Sequence, residues 1–117
     1  MNVHKITYSA SIFLLLSFCA FISSCDKKVK IDSSDYEKLC NIYQEVVPQT
    51  ISLTEKETKI ADQVMVELPE FYQLNFIYIQ QADPDKRYQF FKRLAENATK
   101  KSWTCETMKN FYAKEFH

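Results

Sequence analysis

The stretch Ser34-Asp35-Tyr36-Glu37-Lys38-Leu39-Cys40-Asn41-Ile42-Tyr43-Gln44-Glu45-Val46-Val47-Pro48 decides the fold. Its first four residues have the pattern of a capping box. The Ser34 hydroxyl can accept from the Glu37 amide while the Glu37 carboxylate reaches back. Tyr36, Leu39, Cys40, Tyr43 and Val47 then recur at the spacing of one helical face. Cys40 lies on that face and is expected to point inward. Pro48 ends the run, because it lacks an amide proton and disfavours helical backbone at the residue before it.

The same logic extends downstream. Thr54-Glu55-Lys56-Glu57 repeats the capping pattern and predicts a second helix near Thr54, with Ile60, Ala61, Val64 and Leu68 as its buried stripe. Pro69 then kinks the chain or opens a third helix at its first position. The third segment runs to about residue 81 and carries Phe71, Tyr72, Leu74, Phe76, Ile77, Tyr78 and Ile79. Because it is apolar nearly all round, a central, largely buried helix is expected. A strand over Leu74 to Ile79 is the competing reading, since aromatic and β-branched residues crowd there. Asp83-Pro84-Asp85 restarts a helix whose buried face is Tyr88, Phe91, Leu94, Ala95 and Ala98. A last helix is expected from Thr104, with Cys105 in its first turn and Met108, Phe111 and Tyr112 on its buried face. Trp103 and Met108 would form a hydrophobic staple across its start.

The chain has no glycine and only three prolines. Tight hairpin turns that need positive φ are therefore hard to build. The expected fold is all-α: a small compact bundle of four to five short helices over residues 34–117, with one disulfide. Its two cysteines, Cys40 and Cys105, form an even pair. In an exported domain such a pair is expected to be oxidised; two buried free thiols are the alternative.

Export itself is read from the other end of the chain. Met1-Asn2-Val3-His4-Lys5 is a short basic segment, and an apolar run follows from Ala10 to Ile22. At about 13 residues this run suits a signal peptide and is short of the ~20 that span a bilayer. Ser23 and Ser24 supply the small residues of a cleavage site. Ile22-Ser23-Ser24-Cys25 resembles the lipobox of bacterial lipoproteins. That resemblance implies that residues 1–24 are removed by signal peptidase II and that the Cys25 thiol carries a diacylglyceryl group. Cys19 fits the motif poorly, because bulky Phe18 stands where a small residue belongs. An uncleaved signal anchor over Ile6 to Ser24, or an ordinary secretory signal leaving Cys25 free, are the alternatives.

Two or three acyl chains on one cysteine would hold the mature protein stably at a membrane. Residues 25–33 read as a lipidated tether. Its lysines could rest on anionic head groups or simply be solvated. Asp26 follows the cysteine, as in the inner-membrane retention signal of enteric lipoproteins, and leans the expected location inward. The membrane face would be the periplasm or the cell exterior.

The chemistry expected of the mature domain is sparse. The net charge is zero, which speaks against a nucleic-acid partner. The histidines are His4 and His117, so no Ser–His or Cys–His nucleophilic pair is in prospect. No Cys/His spacing suggests a metal, and no glycine-rich loop can cradle a phosphate. Glu67 with Glu70, and Asp83 with Asp85, sit where helix capping explains them better than acid–base catalysis does. No cofactor and no enzyme activity are expected. The segment from Lys86 to Arg93 interleaves basic and aromatic residues, and Arg87, Phe90, Lys92 and Arg93 form a candidate contact surface. A solvated rim on an amphipathic helix is the plainer alternative.

Two functional readings follow. The first is a small helical module that binds another envelope protein, favoured by a filled core with Phe90 exposed. The second is a carrier or sensor of an apolar ligand, favoured by a pocket lined by Phe71, Tyr78 and Phe91.

Overall fold

The structure is a computed structural model and describes residues 31–116. The expected leader, the lipidation site Cys25 and the tether up to residue 30 lie outside the described residues, as does His117. Among the described residues the chain is all-helical, with five helical segments and no strand.

Helix α1 is Ser33–Val46. Its cap is Asp32, not Ser34. The Asp32 carboxylate accepts from the Ser34 amide at 2.8 Å, and the Asp32 amide donates to the Asp35 carboxylate at 3.1 Å. The reciprocal box is therefore present, but two residues upstream of the expected one. Hydrogen bonds from Ser34 hold the Asp32 carboxyl below the usual range. Ile31 packs against the core, so Ile31 to Ser33, expected as the end of the tether, belong to the folded unit. Tyr36, Leu39, Ile42, Tyr43 and Val46 are buried, while Cys40 and Val47 are half-buried at the edge of that face.

Helix α2 is Leu53–Glu67. Ser52 caps it, accepting from the Glu55 amide at 3.2 Å, so the helix starts just ahead of the expected Thr54. Either residue could begin a capping pattern, and the upstream one wins. Buried Leu68 breaks the helix with φ −133° and ψ 61°. Pro69 then restarts it at the first position, where its missing amide costs nothing.

Helix α3 is continuous over residues 69–80, in three parts: Pro69–Phe71, a π-helical turn Tyr72–Phe76, and Ile77–Gln80. The π turn adds one residue to the winding. Its consequence is visible in what is buried: Leu68, Phe71, Phe76 and Ile79. A regular α-helix would bring Asn75, four residues after Phe71, onto that face. The extra residue puts Phe76 there instead. The helical reading of this segment is right, but its burial is not as expected. Leu74, Ile77 and Tyr78 are exposed. The central helices are α1, which packs against α2, α4 and α5, and α4, which packs against α1, α3 and α5, while α3 packs against α2 and α4.

Helix α4 is Pro84–Thr99 and buries Tyr88, Phe91 and Ala95; Ala98, expected on that face, is exposed. Asp83 occupies the cap position without a side-chain capping bond. The helix ends at Lys100 in the left-handed region, φ 58° and ψ 26°. Helix α5 consists of Glu106–Asn110 followed by a second π turn, Phe111–Glu115. Cys105 stands at its cap, not inside its first turn. Trp103 is thus too far out to staple Met108, and it packs instead on Tyr36 and Tyr88, with centroids 6.3 Å from each. The second π turn brings Phe116 edge-on to Phe111 at 5.3 Å.

The core is dense in aromatic pairs. Phe91 meets Phe71 at 6.2 Å and Phe76 at 5.9 Å between centroids. Cys40 and Cys105 are joined by a disulfide, with their α-carbons 5.8 Å apart. It closes a loop of 65 residues between α1 and the start of α5. Closing such a loop in the unfolded chain contributes about 4 kcal/mol in the entropy model, which is large for so small a core.

Candidate contact groove on helices α3 and α4

Three residues connect α3 to α4, so the two helices are neighbours in a helical hairpin. A cleft of about 340 Å³ runs between them. Helix α3 supplies Leu74, Asn75, Tyr78 and Ile79, and α4 supplies Phe90, Arg93, Leu94 and Asn97. Leu74 is 56 % exposed, Tyr78 66 % and Phe90 38 %. Large apolar side chains left open along one cleft are the surface feature that most calls for a partner. The π turn contributes directly. By turning Phe76 inward it leaves Leu74 and Asn75 to the cleft.

Of the four residues expected to form a contact surface, the structure brings together only Phe90 and Arg93. Arg87 and Lys92 are turned to structural work. Arg87 is largely buried: its Nε donates to the Ala82 carbonyl at 3.0 Å and its Nη1 to Gln80 Oε1 at 3.2 Å. Its guanidinium lies over the rings of Tyr112 and Phe116 and 3.7 Å from the Glu57 carboxylate. Gln80 passes the network on to the Tyr112 hydroxyl at 3.0 Å, which is hydrogen-bonded to the Tyr43 hydroxyl. Burial pushes both phenols up, Tyr43 well above the ordinary value. Lys92 donates to Glu96 and to the Trp103 carbonyl, each at 2.9 Å, and the Trp103 amide donates to Glu96 at 3.2 Å. These bonds lower the Glu96 carboxyl, Lys92 foremost, and they tie down the loop that leads to Cys105.

The three aromatics expected of a ligand pocket are not brought together. Phe71 and Phe91 pair inside the core, with ring centroids 6.2 Å apart, and Tyr78 is outside it. The carboxylates of Glu67, Glu70, Asp83 and Asp85 are exposed. Among the described residues there is no group of three or more His, Cys, Asp or Glu placed to hold a metal ion, and no helix long and apolar enough to cross a membrane.

The groove residues that sequence reasoning missed are Leu74, Asn75, Ile79, Leu94 and Asn97, and Tyr78 was expected in an interior pocket instead. The available signal was Asn75, a polar residue in an otherwise apolar segment. A helix that buries Phe71 must either bury Asn75 or shift its winding to avoid it. No family model, curated protein or solved structure matches this chain.

Proposed function

We propose that the protein is a lipid-anchored module of the bacterial cell envelope that binds another envelope protein through the α3/α4 face. The observation that carries this reading is the contrast between a closed core and an open apolar cleft. Phe71 and Phe91 fill the interior, while Leu74, Tyr78 and Phe90 are held at the surface. Keeping these half-exposed side chains partly in water sacrifices on the order of 1 kcal/mol each of possible burial. A surface that recovers that burial in a complex accounts for them. The lipobox-like Ile22-Ser23-Ser24-Cys25 supplies the anchor, by its resemblance to bacterial lipoproteins. A tethered domain meets membrane-bound partners at high effective concentration, so one modest groove suffices for binding.

Site-specific photocrosslinking in the native envelope tests the reading. A photoreactive residue at Tyr78 should give a discrete adduct, and one at exposed Lys38 on α1 should not. No adduct from Tyr78, or the same adducts from both sites, would remove the α3/α4 face as the binding surface.

A further inference from the structure

We infer that the groove receives an amphipathic helix that carries a carboxylate beside its apolar face. The inference rests on the binding-module reading and specifies the chemistry of its partner. Helix α4 carries four cations in its first ten residues: Lys86, Arg87, Lys92 and Arg93. Three are answered within the chain, Lys86 by Asp83, Arg87 by Glu57 and Lys92 by Glu96. Arg93 has no ion-pair partner among the described residues, and it is the one that lines the groove. No carboxylate lines the groove with it. An incoming acid would meet an unopposed guanidinium at the edge of an apolar cleft, where charge-assisted bonds are stronger than in open water.

Shape selects a helix. The cleft lies along two neighbouring helices, so a third helix set into it would present side chains at i and i+4 to Leu74, Tyr78 and Phe90. Asn75 and Asn97 leave amide groups at the rim for polar flanks of the same helix. A lipid surface offers negative charge and apolar chains too, but it is not a ridge that enters a cleft. A helix with apolar residues on one stripe and Asp or Glu at its flank matches both the shape and the charge.

The test uses the full-length protein in detergent micelles with its disulfide intact. The probe is a phage library of alanine-rich helical peptides randomised over one face. Selected peptides should carry an apolar i, i+4 pair with a flanking Asp or Glu. Arg93→Glu should weaken their binding roughly tenfold, and exchanging the peptide's acid for lysine should restore it. Selection of peptides without an acid, or binding indifferent to Arg93→Glu, would overturn the proposal. So would quenching of a Tyr78→Trp variant by brominated lipid in phosphatidylglycerol vesicles, which would assign the groove to the membrane. A Tyr78 adduct in the envelope that persists in Arg93→Glu would retain the binding module and discard the acidic helix alone.

Discussion

Phe90 and Phe91 are neighbours in the chain with opposite environments. Phe91 is fully buried against Phe71 and Phe76, and Phe90 is 38 % exposed at the edge of the groove. Helical geometry sets about 100° between them, and that rotation separates packing from contact. Phe91→Ala should therefore cost about 3–5 kcal/mol in urea unfolding. Phe90→Ser should cost at most about 2 kcal/mol, clearly less than Phe91→Ala, and abolish the crosslink from Tyr78. Equal destabilisation by the two substitutions would mean that Phe90 also belongs to the core.

The disulfide joins half-buried Cys40 to buried Cys105, where the loop after α4 returns to α1. A Cys40→Ala/Cys105→Ala double variant should lose about 4 kcal/mol, read as a lower urea midpoint with little change in helix content below it. Reductant should destabilise the parent protein to the same extent and leave the double variant unaffected. A parent protein insensitive to reductant would contradict the bridge as a stabilising element.

Lys100 ends α4 with φ 58°, a conformation that glycine adopts without steric cost. A residue with a β-carbon pays about 1 kcal/mol there. Lys100→Gly should therefore raise stability by about that amount in chemical denaturation, while the same change at exposed Lys38, inside α1, should lower it by about 1 kcal/mol. A loss of stability at Lys100 would show that its side chain makes up for its backbone.

Those three sites also show how far the sequence could be read. The helices, their number and the cysteine pair follow from periodicity and composition, because burial of one face per helix leaves a direct trace in residue spacing. The starts of α1 and α2 lie one or two residues upstream of the expected ones, because Asp32 and Ser52 compete for the same capping roles as Ser34 and Thr54. The groove was only half visible. Phe90 and Arg93 stand off the buried stripe of α4, which periodicity reveals. Leu74 and Tyr78 were expected inside because the segment is apolar nearly all round, and the π turn that sets the phase of α3 after Phe71 leaves no trace in periodicity. Arg87 was read as exposed for a related reason: its partners Gln80, Tyr112 and Phe116 come from α3 and α5, and only tertiary structure brings them within reach.

The resemblance of Ile22-Ser23-Ser24-Cys25 to a lipobox makes a separate prediction. Globomycin, which blocks signal peptidase II, should cause the unprocessed precursor to accumulate in a bacterial host. Cys25→Ser should prevent labelling by an alkyne-bearing fatty acid. Processing and labelling that continue in both cases would assign the leader to another route and remove the anchor from the proposed function.

The buried phenols of Tyr43 and Tyr112 predict the response to alkali. Burial raises both, so the folded state holds their protons to higher pH than the unfolded chain does. Above about pH 10 the unfolded chain has released protons that the folded protein keeps, and stability falls as pH rises. Below that pH the contribution is complete and constant. Urea midpoints should thus be level from pH 8 to about 9.5 with respect to these groups and decline beyond it. Tyr43→Phe removes one of the two titrations, together with its hydrogen bond to Tyr112. The variant should be about 1 kcal/mol less stable at pH 8 and should decline less steeply in alkali. An alkaline slope unchanged by the substitution would place the pH sensitivity outside the Tyr43–Tyr112 pair.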